Sequence, residues 1–457
     1  MIIHSLLSRQ PRRKPTTRAL WRSLTLTGVV ASVALAPLSL PTTRAAHATH
    51  RAAAPVTLTI WDIQTGVEQA NLTAFAASFT KAHPNIRVQY QWFQNDPYKT
   101  KLTLAVGAHR GPDIFMGWGG GILQSYIKSG AVADLTSAFN ADASWRNRYL
   151  PVVMGPVTFG GHIYGVPYNN TQPEVVLYNK AMFAQYHLTI PTTWPRLQQV
   201  SKTLQSHNVI PFALAGKSEW PEMMIIQYLA ERIGGLGTLN DIANRKPGAS
   251  FTSSTWIKAA TMAQQLVKDN AFQSGFSSAN YDTGDAGALL YGGRTAMMFM
   301  GVWQFGDALA KAPNFLKNMA FFPVPAVPAG KGKLTDLVGG PANYYSVSSY
   351  SPNEAAALAY LKEQLNATRA KEILSAGELP PVNHLDVSGV HDPAVKAQAA
   401  LIDAASSFQL SLDQNLPPQL AQDFLDLTGQ LFGLSITPRQ FGSQMQAKTA
   451  AYFASHH

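Results

Sequence analysis

The strongest constraint on the fold is an alternation of strand-like and helix-like segments between residues 56 and 116. Apolar residues recur at every second position in VTLTI and again in IRVQYQW, which is the period of a β-strand. Apolar positions in 72–79 and 98–106 instead fall on one helical face, and a third strand is predicted at 113–116. This order of strand, helix, strand, helix and strand predicts a mostly parallel sheet with helices on both faces.

The same pattern recurs in the middle and the later part of the chain. Helices are predicted at 192–205, capped by Thr192 or Thr193, and at 256–269 and 354–365; strands are predicted at 175–178, 209–214, 295–300, 320–324 and 344–347. No fixed-period repeat is present, which argues against a solenoid or a propeller. A chain of 457 residues is also too long for one hydrophobic core. Two α/β lobes are the simplest architecture.

Three tryptophans directly follow predicted strands. Trp61 comes after VTLTI, Trp118 after DIFMG and Trp303 after TAMMFMGV. Ligands of open α/β sheets bind at the carboxyl ends of the strands. Packing in the core is the alternative for any one of them, since tryptophan is often largely buried. Three such positions together favour a cleft lined by aromatic side chains.

The first 48 residues have the order of an export signal. A basic region runs through Arg22, an apolar run covers 24–40, and small residues at 46–48 form a cleavage site. An uncleaved membrane anchor is the alternative, although this run of 17 residues contains Pro37 and is shorter than the ~20 residues of a usual span. We therefore predict an exported protein, either periplasmic or at the cell surface, with a tether through an uncleaved N-terminal helix as the remaining option.

The formal net charge of +10 does not indicate a nucleic-acid partner, because much of it lies in that N-terminal segment. Seven of the 36 Lys and Arg residues precede residue 49, where there is no acidic residue. The remainder of the chain has 29 basic against 26 acidic residues. A protein body this close to neutral lacks the basic surface that phosphate backbones require.

Several kinds of chemistry are excluded or unsupported by the residue types. The chain has no cysteine, which excludes disulfides, thiolate metal sites, a cysteine nucleophile and a lipidated N-terminal cysteine. The twelve histidines show no metal-ligand spacing, and the G-x-S-x-G, H-E-x-x-H and P-loop motifs are absent. The glycine-rich segment 117–121 lacks the last glycine of a dinucleotide fingerprint. We predict no metal and no cofactor, and we interpret these glycines as allowing the backbone to approach a ligand closely.

Nine stretches of the chain, taken in order, resemble the extracellular carbohydrate-binding proteins of bacterial ABC importers, the relatives of maltose-binding protein. They are VTLTIWD, FTKAHPNIRVQYQWF, GPDIFMGWGGGILQSYIKSGAVADLT, IYGVPYNNTQPEVVLYNKAMF, IPTTWPRLQQVSKTL, GGRTAMMFMGVWQF, FFPVPA, GGPANYYSVSS and NEAAALAYLKEQL. Together they cover most of residues 56–455. Each motif alone is weakly specific, and their order and spacing carry the resemblance. Many members have a lipidated N-terminal cysteine, which this chain lacks.

The resemblance implies a two-lobed periplasmic binding protein-like fold of type II, with the ligand in the cleft between the lobes. Lobe one would comprise 55–170 with 340–400, and lobe two 171–339 with 401–457. Crossovers near Thr171 and at 339–340 would act as hinges. The resemblance also implies a monomeric sugar-capturing subunit without catalysis of its own. Its partners would be the permease subunits of the membrane and a separate ATPase.

A sugar presents apolar C–H faces and an edge of hydroxyl groups, so its site requires flat aromatic side chains and hydrogen-bonding groups. The candidates for stacking are Trp61, Trp118, Trp220, Trp303 and Tyr344, of which the resemblance favours Trp220 and Trp303. The polar candidates beside them are Asp62, Asp96, Asn169, Glu219 and Asn343, with Asp413 of the C-terminal segment as a further one.

Two other functions remain open at this point. A secreted glycoside hydrolase needs two carboxyl groups across the scissile bond, and Asp62 with Glu219 could supply them. A receptor for a peptide, a polyamine or a phosphorylated metabolite is the second. A phosphate would require arginine or a helix N-terminus, and a polyamine several acidic residues. The candidate residues show neither bias, which favours a neutral saccharide.

Overall fold

The computed structural model describes residues 55–456, so the predicted export signal at 1–48 lies outside the described residues. In chain order the strands are β1 (Val56–Asp62), β2 (Ile86–Trp92), β3 (Ile114–Gly117), β4 (Thr158–Phe159), β5 (His162–Ile163), β6 (Val166–Pro167), β7 (Gln172–Asn179), β8 (Ile210–Ala213), β9 (Thr295–Gly301), β10 (Met319–Phe322), β11 (Asp336–Gly340), β12 (Tyr344–Val347) and β13 (Ser407–Leu410). None of the helices within 55–456 is long and apolar enough to cross a bilayer.

Helices separate most of these strands. They are α1 (Gly66–Ala82), α2 (Asn95–Gly107), α3 (Gly120–Lys128), α4 (Thr136–Ala141), α5 (Ala143–Arg146), α6 (Pro151–Met154), α7 (Lys180–Gln185), α8 (Trp194–Ser206), α9 (Trp220–Gly234), α10 (Thr238–Ala243), α11 (Ser254–Lys268), α12 (Asp285–Tyr291), α13 (Gln304–Lys311), α14 (Glu354–Gln364), α15 (Ala367–Ser375), α16 (Pro393–Asp403), α17 (Leu412–Asn415), α18 (Pro418–Phe432) and α19 (Pro438–Ser455). The order of elements predicted for 56–116 is therefore confirmed. Thr193 is the residue before α8, as predicted, but its side chain makes no capping hydrogen bond.

Two larger sheets organise the chain. The first has the strand order β2, β1, β3, β12 and β6, and the second has β13, β11, β7, β9 and β8, with β10 paired to β7. In each sheet a single strand runs against all the others, so the prediction of mostly parallel sheets is confirmed. Strand β12 runs antiparallel to both β3 and β6, and β7 runs antiparallel to β9, β10 and β11. The sequence pattern of each strand gives its period but not the direction in which it enters a sheet.

Each sheet lies in its own hydrophobic core. The first core is formed by buried side chains from 58–168 and 342–373, and the second by buried side chains from 175–338 and 412–445. A small third cluster around Leu379 and Val395 lies between these stretches in sequence. We call the parts of the chain around the first and second cores the first and second lobes. The predicted two-lobed α/β fold is confirmed, and the exact lobe boundary near residue 400 stays a prediction.

Two short connections link the lobes side by side. Residues 168–171 join β6 to β7, and residues 341–343 join β11 to β12. They are adjacent because Gly340 is opposite Gln172 in one sheet and Tyr344 is opposite Pro167 in the other. At the end of β11, Gly339 has a φ of 142°, and a Cβ there would lie 2.3 Å from the Gln172 carbonyl oxygen. Only glycine fits this crossing without strain.

Candidate functional site

A cavity of about 500 Å³ is lined by residues from both lobes. We call it the central cavity. The first lobe contributes the loop and helix start at 63–68, the start of α2 and Trp118, while the second lobe contributes the start of α9, residues 281–282 and most of α13. The two short connections between the lobes also line it, through residues 169–170 and through residues 340 and 343. The remaining lining residues come from the start of β7, from positions 376 and 378, and from 411–414. Its position agrees with the general placement of ligand sites at domain interfaces.

The second lobe lines the cavity with three aromatic side chains, Trp220, Tyr281 and Trp303, which we call the aromatic cluster. The ring centroids of Trp220 lie 4.6 Å from Tyr281 and 6.2 Å from Trp303. The indole Nε1 of Trp303 donates a hydrogen bond of 2.8 Å to the Tyr281 hydroxyl. These contacts fix the rings relative to one another before any ligand binds, which reduces the entropy lost on binding.

Local backbone geometry places two of these rings. Trp303 directly follows the Gly301–Val302 end of β9, and a Cβ at Gly301 would lie 1.7 Å from a ring carbon of Trp303. The indole ring therefore lies against a position where no side chain fits. Trp220 begins α9 after Glu219, which has a φ of 59°, an uncommon conformation for a residue with a side chain. Such conformations cluster at binding sites, where the surrounding structure holds them.

Several buried polar atoms on the cavity wall have no hydrogen-bond partner among the described residues. They are Oδ1 of Asn169, Nδ2 of Asn170, Nε1 of Trp220, Oδ1 of Asn343, Oδ1 of Asp413 and Oε1 of Gln414. Buried polar groups in proteins are nearly always hydrogen-bonded, because each unpaired one costs about 1–3 kcal/mol. A set of both donors and acceptors around one cavity is suited to a ligand with many hydroxyl groups.

Direct contacts join the two lobes at the rim of the central cavity. The Lys99 ammonium of α2 lies 3.1 Å from a carboxylate oxygen of Asp413 in α17, and 5.4 Å from the centre of the Trp118 ring. The backbone N–H of Asp96 also donates a hydrogen bond of 3.3 Å to Asp282. Asp413 is only 5% exposed, so its charge depends on Lys99 for compensation. This ion pair connects the lobes only while they are close together.

Three acidic side chains of the wall have raised pKa values. Burial raises the pKa of Glu174 to about 8, although the carboxylate accepts hydrogen bonds from Gln227 and Ser411. Burial also raises the pKa of Glu378 well above its usual range, and it raises that of Glu68 to about 7 against the opposing effect of Arg369. With a pKa of about 8, Glu174 is mostly protonated at neutral pH and can donate a hydrogen bond as well as accept one, and burial favours the neutral form of Glu378 in the same way.

Six of the eleven residues proposed from the sequence lie on the wall of the central cavity. They are Trp118, Asn169, Trp220, Trp303, Asn343 and Asp413. The arrangement brings together residues from both lobes and from both connections, which are separated by up to several hundred positions in the sequence. Whether each of them contacts a ligand stays a prediction.

The structure does not bring the other five to this wall. Trp61 packs against Phe93 and under the Lys101 ammonium. Tyr344 is 1% exposed, and its hydroxyl donates to the Val153 carbonyl oxygen within the first core. The remaining three are Asp62, buried beneath the cavity; Asp96, at the start of α2; and Glu219, which accepts a hydrogen bond from Gln422. Residues that alternate along a strand face opposite sides of the sheet, so closeness to a strand end did not determine orientation.

The glycines of segment 117–121 also have a different role from the one predicted. A Cβ at Gly121 would lie 2.3 Å from the carbonyl oxygen of Asn415, and one at Gly120 would lie 2.6 Å from that of Gln414. Neither glycine lines the central cavity. These glycines therefore let the backbone of α3 approach α17 of the other lobe, rather than a ligand.

Sequence reasoning missed several residues of the wall. Tyr281 lies in an irregular stretch between α11 and α12, where no periodicity marks a site. Lys99 looked like an ordinary exposed helix residue, and Glu378 lies outside the quoted motifs. Asn170 and Glu174, by contrast, lie within the stretch that contains Asn169, and an acid directly before the apolar strand predicted at 175–178 could have drawn attention to Glu174.

Comparisons with known proteins point to one family. Residues 65–368 match the family described as bacterial extracellular solute-binding protein. A structure from work on xylan utilization by the thermophilic bacterium Caldanaerobius polysaccharolyticus is 33% identical, with a TM-score of 0.79, and the match covers 86% of this chain and 100% of that one.

Two curated relatives are more distant. An uncharacterized ABC transporter extracellular-binding protein of Pyrococcus horikoshii is 27% identical over 271 residues, which is 58% of this chain and only 59% of the relative. A diacetylchitobiose binding protein of Streptomyces coelicolor is 23% identical over 314 residues, 68% of this chain and 69% of the relative.

Proposed function

The chain belongs to the family of bacterial extracellular solute-binding proteins, and we propose that it captures a sugar or an oligosaccharide in the central cavity and delivers it to the permease of an ABC importer. The observation that carries the proposal is the combination of the aromatic cluster with unpaired polar atoms on one wall. Aromatic rings stack on the C–H faces of a sugar, and the polar atoms suit its hydroxyl groups. The relative named for diacetylchitobiose supports a saccharide as the solute.

The finer parts of the proposal concern partners and location. An extracellular binding protein of this family requires export, for which residues 1–48 are the proposed signal, either cleaved or retained as a tether. The protein would act as a monomer with membrane permease subunits and a separate ATPase. Membership of an ABC transporter family supports these partners.

A neutral ligand fits the charges of the wall better than a phosphorylated one. The only basic side chains on the wall are Lys99 and Lys311, and each pairs with an acidic residue, Asp413 and Asp307. No arginine of the described residues lines the cavity. The starts of α1, α2 and α9 do reach the wall, but a phosphate is bound strongly where an unpaired basic side chain adds its charge to such helix starts. We therefore propose an uncharged saccharide.

A thermal-shift screen followed by calorimetry tests the proposal. The panel should include xylo-oligosaccharides, diacetylchitobiose and common monosaccharides, with a phosphorylated sugar and a polyamine as controls. A ligand present at 100 times its Kd stabilises the folded state by about 2.7 kcal/mol. We expect at least one neutral saccharide to raise the Tm. A shift with only the polyamine or the phosphorylated sugar would replace this proposal with the corresponding receptor.

Catalysis is tested with the tightest-binding oligosaccharide of that screen. We propose that the protein releases its ligand intact, since Asp62 and Glu219, the pair considered for a hydrolase, do not line the cavity. Prolonged incubation should return only the starting oligosaccharide, as measured by mass spectrometry. Release of shorter sugars in excess over protein, lost when Glu174 or Glu378 is replaced by glutamine, would show a glycoside hydrolase instead.

A further inference from the structure

Asp62 does not line the central cavity, but the six residues that follow it do. Its side chain is fully buried, and its Oδ1 accepts hydrogen bonds from the backbone N–H of Ile63 at 2.6 Å and of Gln64 at 3.0 Å. These bonds hold the start of the segment 63–68, which we call the cavity loop. The conformation of the cavity loop is therefore tied to one buried carboxylate.

The same carboxylate is bonded to residues at both connections between the lobes. The Tyr168 hydroxyl donates to Oδ1 at 3.1 Å, and the Tyr345 hydroxyl donates to Oδ2. Tyr168 begins the first connection, and Tyr345 follows the second one within β12. The two phenol rings stack at 3.7 Å between centroids. Gln64 of the cavity loop also donates to the Tyr168 hydroxyl at 3.3 Å.

We propose that Asp62 is a positioning residue that couples the cavity loop to both connections between the lobes, so that ligand affinity depends on a carboxylate that does not touch the ligand. A ligand that orders the cavity loop would thereby favour one arrangement of the connections, and the reverse holds equally. The affinity part of this inference rests on the proposed function, whereas the structural coupling does not.

The fold by itself gives no reason for a charge at this position. Burial raises the pKa of Asp62 to about 6, although the hydroxyls of Tyr345 and Tyr168 and the backbone of residues 63 and 64 favour the charged form. No basic side chain among the described residues forms an ion pair with Asp62, and Arg369, which acts on the same tyrosine as Asp62, pairs with Glu68 and Glu372. The other groups around Asp62 are Glu68 and the tyrosines at 90, 98, 168, 345 and 360.

A carboxyl group with a raised folded-state pKa stabilises the fold at low pH and loses that contribution as the pH rises through about 6. At neutral pH the charged form of Asp62 therefore lowers stability. Replacing it with asparagine keeps the shape and one acceptor oxygen but removes the charge. If Asp62 served the fold alone, this substitution would lower the stability of the protein. If Asp62 is a positioning residue, the substitution should instead impair function.

Asp113 provides a matched control in the same sheet. It is also buried, but it lies before β3, at the opposite end of the sheet from Asp62. It accepts hydrogen bonds from Thr59, Ser351 and Asn353, which hold the pKa of this carboxyl below its usual range. Its charge therefore stabilises the fold. Neither Asp113 nor its partners line the central cavity.

The first experiment compares Asp62→Asn with Asp113→Asn by amide hydrogen exchange without ligand. We expect Asp62→Asn to exchange about tenfold faster in the cavity loop and in both connections, with a Tm at about pH 7.5 no lower than that of the wild type. Asp113→Asn should lower the Tm and leave those segments unchanged. Unchanged protection in Asp62→Asn, or the same loss in Asp113→Asn, would overturn the coupling.

Tyr168→Phe and Tyr345→Phe keep the test informative if Asp62→Asn does not fold. Each variant retains the stacked ring but removes one hydroxyl that donates to the carboxylate. We expect each variant to show faster amide exchange mainly in the connection that contains or adjoins the substituted tyrosine. Exchange unaltered by both variants would contradict the inference.

The second experiment measures calorimetric affinity for xylotriose between about pH 5 and pH 7.5, which brackets the pKa of Asp62. Protonation removes an acceptor, so the wild-type affinity should fall on acidification, and Asp62→Asn should show a lower affinity with a smaller pH dependence. Glu68 titrates in the same range, so only the difference between the two proteins reports on Asp62.

If xylotriose does not bind the wild type, this choice of sugar has failed, and the exchange experiment still decides the coupling. Identical pH profiles in the two proteins would overturn the effect on affinity.

Discussion

The two lobes form their sides of the central cavity in different ways. The second lobe contributes an aromatic cluster whose rings contact one another and lie against Gly301. The first lobe contributes a loop held by hydrogen bonds to the buried Asp62 and a lysine that pairs with Asp413 across the cleft. The aromatic side, from the second lobe, offers contact area. The polar side, from the first lobe, depends on charges and on the directions of hydrogen bonds. The two sides should therefore respond differently to substitution, pH and salt.

The largest expected effect is on the aromatic side. Trp303→Ala should weaken sugar binding by about 2 kcal/mol or more, because a buried aromatic contact of this kind acts as a hot spot. Calorimetry measures the loss. Trp61→Ala is the matched control, since Trp61 lies near the end of strand β1 but does not line the cavity. Equal affinity losses in both variants would remove the distinction between the two tryptophans.

Lys99→Met should have the next largest effect, on the polar side. The substitution leaves Asp413 buried without its cation, which disfavours the arrangement with both lobes in contact. We expect a loss of about 1–2 kcal/mol in sugar affinity, within the range for charge pairs at interfaces.

Salt and a neighbouring lysine provide the controls for that variant. High salt should weaken binding to the wild type more than to Lys99→Met, since salt screens the ion pair. Lys101→Met should leave affinity unchanged, because Lys101 lies over Trp61 and Phe93 and does not line the cavity. A salt effect of the same size in all three proteins would contradict a role for the ion pair.

A smaller effect concerns the pH dependence of stability at Glu174. Its raised pKa of about 8 means that its contribution to stability is fully present below about pH 4.5 and is lost as the pH rises through about 8. Between pH 7 and pH 9 the wild type should lose roughly 1 kcal/mol of unfolding free energy from this group. Glu174→Gln should remove that part of the slope in urea titrations at several pH values. An identical slope in both proteins would place the titrating group elsewhere.

The smallest effect expected is that of Tyr281→Phe. The change keeps the ring but removes the hydroxyl that accepts from Trp303 and donates to Gln304. Losing one such hydrogen bond costs about 0.5–1.5 kcal/mol, so sugar affinity should fall less than in Trp303→Ala. If calorimetry gave Tyr281→Phe the larger loss, orientation rather than ring contact would dominate on the aromatic side as well.

Local patterns in the sequence were sufficient for the order of elements and for part of the site. The apolar period predicted β1, β2 and the helix between them close to their actual bounds, because it reflects burial of one face of each element. Trp118 and Trp303 were found because glycine-rich or short segments follow their strands. The resemblance to a known family favoured Trp220 and implied a ligand site in the cleft between the lobes, which the period of apolar residues alone could not give.

What failed were inferences about the orientation of individual side chains. Trp61 lies within β1 and Trp118 directly after β3, two parallel strands of the first sheet, yet only Trp118 lines the central cavity. Asp62 was proposed as a ligand contact because it is adjacent to Trp61, and the structure buries it under the cavity loop. A shift of one residue along a strand reverses the face, and sequence distance from the strand end does not determine that face.

The sequence by itself determined that the chain is of the α/β class and has enough strands and helices for two lobes. It could do so because propensity and apolar period are local properties. The tertiary structure alone decided which strand of each sheet runs against the others, how deeply each acidic residue is buried and which residues pair across the cleft. Lys99 and Asp413 are 314 positions apart, and no local pattern relates them. Their ion pair, like the coupling of Asp62 to both connections, exists only because folding brings distant segments to one place and excludes water there.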